Sequence, residues 1–101
     1  MKYNLHNPTL MLFHADWCGH CQTFMPIFDK FSSSINNSKL NIVKFNADKQ
    51  KKYVQSFNID GFPTVLLNNP KNKTFITYTG NRTIGDLAKF VNDNTGMDIT
   101  K

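Results

Sequence analysis

Thr9-Leu10-Met11-Leu12-Phe13-His14-Ala15-Asp16-Trp17-Cys18-Gly19-His20-Cys21 is the stretch that decides how this chain folds. Its first six residues form a short apolar run with few polar breaks, which reads as a buried strand. Beyond it, Phe24, Ile27, Phe28, Phe31 and Ile35 recur at i, i+3, i+4, i+7 and i+11, the pattern of one helix face. The two cysteines therefore stand where a strand hands over to a helix. Asp16 occupies a position suited to a helix start, Pro26 predicts a kink, and Ser32 to Ser38 reads as a loop.

Further on, Leu40 to Ala47 alternates, with Ile42, Lys44 and Asn46 on one side and Val43, Phe45 and Ala47 on the other. This predicts a second strand. Asp48 is suited to cap a short helix reaching about Phe57, and Asn58-Ile59-Asp60-Gly61 reads as a turn. Pro63 to Leu67 predicts a third strand, with proline at its first position. Asn68 to Lys73 would connect it in a hairpin to a fourth, Thr74 to Tyr78. Thr83 with Asp86 starts a last helix whose Ile84, Leu87, Ala88 and Val91 share a face, and Gly96 ends it. The order is β-α-β-α-β-β-α. A helical crossover makes the first two strands parallel, so an α/β fold follows: a four-stranded mixed sheet flanked by helices on both faces.

With 101 residues the chain is one domain. Its 40% hydrophobic content, with nine Phe, supports a modest core. A site must then lie at the surface or on an element end. No apolar run approaches the ~18 residues of a membrane span. The N-terminus has no apolar segment of signal-peptide type and Asp98-Ile99-Thr100-Lys101 is no retention signal, so a cytoplasmic location is expected. The net charge of +5 reads as a solvated basic surface that favours acidic protein partners. Lys49, Lys51 and Lys52 cluster without interleaved aromatics, a poor signal for nucleic acid. Frequent Asn reads as coding composition rather than mechanism.

Two cysteines three positions apart make a poor staple, because a disulfide closing so short a loop contributes little. They make good sense as chemistry. At a helix N-terminus, unsatisfied N–H groups and the positive end of the dipole favour thiolate, so Cys18 is expected below the free thiol value of about 8.5. Thiolate is the nucleophile of disulfide exchange. Cys21, one turn on, lies within disulfide reach. Cys18 would attack a substrate disulfide, and Cys21 would then attack Cys18, release the substrate and close the ring. Gly19 allows close approach of a partner chain. His20, when protonated, stabilises the thiolate and makes the disulfide a better oxidant. A zinc site fits poorly: it needs four ligands, and His6, His14 and His20 are scattered. A metal or cluster shared between chains is a further alternative. No cofactor is expected.

These residues resemble the thioredoxin superfamily, and within it the protein disulfide isomerase catalytic domain, from about Leu10 to Asn94. Trp17-Cys18-Gly19-His20-Cys21 is similar to the isomerase signature, where thioredoxins typically carry Pro at the position of His20. Pro26 matches the family's helix-kinking proline, Lys44 a lysine near the buried thiol, and Ile59-Asp60-Gly61-Phe62-Pro63-Thr64 the loop holding a cis-proline. Tyr78-Thr79-Gly80-Asn81-Arg82 resembles a stretch ending in a mobile arginine. The resemblance implies that Phe62 and Pro63, with Trp17, take a substrate strand by β-strand addition. It also implies that Arg82 swings in to lower the pKa of Cys21. Residue by residue, a trans strand-start proline and a solvated arginine are the alternatives.

The chain departs from the family in two places. Leu12 stands where the family has an acidic residue that shuttles a proton for the buried thiol, which leaves Lys44, His14 or a water for part of that task. Lys44 then has no evident acidic partner, and either snorkels to the surface or acts on a cysteine. His14 replaces a usual aromatic and either packs or titrates. The residues before the first strand are too few for the family's first strand and helix. What remains is a minimal thioredoxin-like core with one barer sheet edge, for which Lys2 to Asn7 or a second chain would be the cover. The expected function is thiol–disulfide exchange on protein disulfides, isomerase- or oxidase-leaning. Its partners would be disulfide or dithiol proteins and a redox recycling partner, with the chain a monomer or weak dimer that binds neither nucleic acid nor membrane. A thioredoxin-type reductant and a non-catalytic binding role are the alternatives.

Overall fold

A computed structural model describes residues 6–36 and 38–100. Strand β1 is Thr9–His14, followed by helix α1 (Gly19–Ser34), β2 (Asn41–Asn46), α2 (Lys51–Ser56), β3 (Thr64–Asn69), β4 (Thr74–Thr77) and α3 (Ile84–Thr95). The sheet order is β2-β1-β3-β4, with β1 and β2 parallel and the other pairs antiparallel. The expected element order and mixed sheet are both present.

The apolar run of β1 is explained by its central place. Leu10 and Leu12 point to one face, into a core with Phe24, Phe28 and Phe31 of α1 and Leu87 and Val91 of α3. Met11 and Phe13 point to the other, where they pack with Phe45, Leu66, Val54 and Phe57. A strand buried on both faces needs no polar alternation. On the second face the rings interlock, Phe13 stacking on Phe45 at 5.0 Å and Phe45 on Tyr53 at 4.8 Å. Each buried ring or leucine favours the fold by about 1.5–3 kcal/mol over an exposed one.

Several boundaries differ from expectation. Cys18, not Asp16, is the N-cap of α1. The helix also runs through Ser32–Ser34: the Ser32 and Ser33 hydroxyls donate to the Phe28 and Asp29 carbonyls at 3.0 and 3.1 Å, so serine is accommodated in the last turn. Asp48 does not cap α2, whose N-cap is Gln50 without a side-chain bond. β3 begins after Pro63 and continues through Asn68 and Asn69, which pair with Phe75 and Thr74. The hairpin loop is correspondingly shorter, with Lys73 at φ 54°. α3 is capped as expected, Thr83 Oγ1 accepting from the Asp86 N–H at 3.2 Å and Gly96 closing it at φ 71°. Of the segment expected to cover a sheet edge, Lys2 to Leu5 lie outside the described residues, while Asn7 donates to the Ser38 carbonyl at 2.7 Å.

Candidate active site

The site lies where β1 ends and α1 begins. Cys18 has extended backbone (φ −90°, ψ 114°), and its Sγ accepts the Cys21 N–H at 3.2 Å. A thiol here serves as the cap that Ser or Asp more often supplies, so the sulfur meets one of the free amides of the helix's first turn. The Cys18 thiol also donates to the Phe62 carbonyl at 3.5 Å. Both cysteines are free, and they share a small cluster with Ala15 and Ala47. Cys21 is 2% exposed and Cys18 8%.

Their acidities diverge. Burial pushes the Cys18 thiol up, but hydrogen bonds from the Cys21 side chain and from the Cys21 and His20 amides, with the charge of Arg82, hold it below the ordinary thiol value. Burial pushes Cys21 up to about 11; the bond to Cys18 and the Cys18 charge add to this, and the Ala15 amide and Arg82 oppose it. Low and high proton affinity on adjacent thiols suit an attacking and a reserve sulfur.

The remaining expected residues fall into two groups. Gly19 and His20 are exposed at the first turn of α1, and a Cβ on Gly19 would meet no atom within 4 Å. The Phe62–Pro63 peptide is cis. Trp17 is 67% exposed, its ring edge-on to Phe62 at 5.8 Å and its Nε1 donating to Asp48 Oδ1 at 3.4 Å. Arg82 is exposed with its guanidinium carbon 6.0 Å over the Phe24 ring, three residues beyond Cys21 in sequence. Its loop is pinned by the Tyr78 hydroxyl, which donates to the Asn81 carbonyl. A Cβ on Gly80 would stand 2.7 Å from that hydroxyl oxygen, so any larger residue there would push the Tyr78 ring aside.

Lys44 stands apart. The expectation that it lacks an acidic partner is corrected: it is surface-directed and pairs with Asp29 of α1 at 2.8 Å. Leu12 is fully buried where the resembled family carries its acid. His14, half-buried, is held below its ordinary value of 6.5 by burial and then by Lys44, against Asp16 and Asp29. Among the described residues no group of three His, Cys, Asp or Glu side chains is placed to hold a metal ion. No helix among them is long and apolar enough to cross a membrane. Asn46 and Asp48 joined the site without being expected there; the Asn-x-Asp run after a strand was the available signal, as an Asx-turn pattern.

The Thioredoxin family model matches residues 3–93. The chain is 31% identical over 96 residues to protein disulfide-isomerase erp38 of Neurospora crassa, covering 93% of this chain and 26% of that protein. It is 32% identical over 92 residues to a mitochondrial thioredoxin domain-containing protein of Schizosaccharomyces pombe, covering 86% and 25%. The first thioredoxin domain of mouse protein disulfide-isomerase A4 superposes with a TM-score of 0.73 at 27% identity, over 86% of this chain and 62% of that one. The chain thus spans about a quarter of the length of the curated relatives it matches. With a matching order of strands and helices around its Cys-x-x-Cys, the chain belongs to the thioredoxin family as a protein disulfide isomerase-like domain.

Proposed function

We propose that this domain exchanges protein disulfides, with Cys18 attacking and Cys21 resolving. The observation that carries the reading is geometric: Cys18 Sγ caps α1 and accepts the Cys21 N–H at 3.2 Å, while Cys21 lies one turn on at 2% exposure. The acidities run the same way, Cys18 lowered and Cys21 raised. Cys18 thiolate attacks a substrate disulfide; its S–S bond to the substrate forms as the substrate's own breaks. Cys21 then gives its proton to the substrate thiolate released in the first step, attacks Cys18 Sγ and expels the second substrate thiolate as the Cys18–substrate bond breaks. The dithiol is thereby oxidised by two electrons and the substrate reduced. In reverse, the ring donates a disulfide and needs a recycling oxidant.

The substrate reaches Cys18 along Trp17, Phe62 and Pro63, where an extended peptide would lie beside the Phe62 backbone. Arg82 stabilises thiolate on either sulfur as it approaches from Phe24. His20, exposed beside Cys18, favours the reduced form and so leans the couple towards oxidation and isomerisation. The relatives are named as disulfide isomerases, or in one case as a mitochondrial protein. They lend no support to the cytoplasmic location expected from sequence.

The test is trapping. A Cys21→Ser variant should accumulate a mixed disulfide between Cys18 and a disulfide-bonded protein substrate. A Cys18→Ser variant should form none, and a trap that forms equally in both would defeat the assignment. The reduction potential then sets direction: a value well above about −270 mV supports the oxidising lean, and one at that level supports a thioredoxin-type reductant.

A further inference from the structure

We infer that Asn46 is a positioning residue that holds the Trp17 indole against Phe62 and so shapes the surface taking an extended peptide substrate. The inference rests on the disulfide-exchange reading for its substrate class, and on geometry for the rest.

Asn46 ends β2 and is 9% exposed. Its side chain is used at both ends. Oδ1 accepts the Asp48 and Lys49 amides at 2.9 and 3.2 Å, and Nδ2 donates to Asp16 Oδ1 at 3.1 Å. Its own amide donates to Gln50 Oε1 at 2.8 Å, fixing the side chain from behind. Of the three residues its side chain grips, two flank Trp17. Asp16 precedes it in the chain, and Asp48 accepts its indole N–H at 3.4 Å. Asp16 is tied a second time, its carbonyl accepting Gln22 Nε2 at 3.0 Å.

An indole 67% exposed has little packing to orient it. Its direction is set by the Asp48 bond, the edge contact to Phe62 and the course of the loop from Asp16. All of these except the Phe62 contact run back to Asn46. The residue type matters as well. The position needs an acceptor for two amides and a donor for a carboxylate at once, which a short carboxamide supplies. Aspartate would keep the acceptor and set a second carboxylate against Asp16.

The chain has one tryptophan, so indole fluorescence reports Trp17 directly. Asn46→Asp and Asp16→Ala each cut the Asn46–Asp16 bond, the second from an exposed side chain. Both should lower the steady-state anisotropy of Trp17. Both should also raise KM for a peptide disulfide by about three- to tenfold, the worth of one hydrogen bond, with kcat held. A merely structural turn-capping role would shift the urea midpoint of Asn46→Asp and leave anisotropy and KM alone. Wild-type anisotropy and KM in both variants overturn the inference. Should the chain turn over no disulfide at all, the exchange reading fails, while the Trp17 anisotropy still decides the positioning claim.

Discussion

The Cys21 backbone N–H lies 3.2 Å from Cys18 Sγ, so the residue that resolves is also the residue whose amide holds the attacking sulfur. Thiolate on Cys18 is stabilised by the same turn that buries Cys21. The two acidities are therefore set against each other by one piece of backbone.

That opposition has a cost at high pH. In the folded chain Cys21 keeps its proton to about 11, against a value of 9.0 when unfolded. Its contribution to stability is full below about pH 9 and declines as pH rises towards 11, on the order of 2 kcal/mol in all. Urea unfolding of the reduced wild type and Cys21→Ser should show wild type losing ground to the variant over that window. Parallel curves would contradict the shift.

Arg82 lowers both thiols from its place over Phe24. Arg82→Gln should move the pH midpoint of Cys18 alkylation upward and slow reoxidation of the dithiol a few-fold, an exposed charge being partly screened. Stopped-flow reoxidation reads the second effect, and an unaltered rate counts against a role for the cation.

Lys44 is paired with Asp29 at the surface, and its charge lowers His14. Lys44→Met should therefore raise the His14 midpoint in an NMR titration. Folding stability should change by less than about 1 kcal/mol, as for other exposed ion pairs. A His14 midpoint that stays or falls would show that Lys44 does not act there.

Core and cap should differ in scale. Phe28 is fully buried between Phe24 and Phe31, so Phe28→Ala should cost about 3–5 kcal/mol. Thr83→Ala removes a single cap bond on α3 and should cost about 1 kcal/mol. Denaturation midpoints compared between the two variants check the order.

What the sequence made legible is what periodicity and end signals encode. The double-sided burial of β1, the Phe24–Phe28–Phe31 face and the Thr83 and Gly96 caps are local patterns, and each appears in place. The site's two thiols were legible for the same reason, being three residues apart at a strand–helix junction. Bonds between distant segments were not. Asp48 looks like a helix cap until the fold brings Trp17, 31 residues away, to its carboxylate. Lys44 looks unpaired until α1 packs Asp29 beside β2. Asn46 is one of many asparagines in sequence, and only the meeting of two loops turns it into a junction. Serine in the last turn of α1 misled in the opposite direction, because its weak helix preference yields to the packing of Phe31 and Ile35.

The most direct test of the central claim is competitive alkylation of the reduced wild-type chain with limiting iodoacetamide, mapped by mass spectrometry as pH is raised from about 5 to about 10. Cys18 should be labelled first throughout, with an onset below that of an ordinary thiol, and Cys21 should stay protected. Equal labelling of the two, or Cys21 reacting first, would contradict the assignment of attacking and resolving sulfurs.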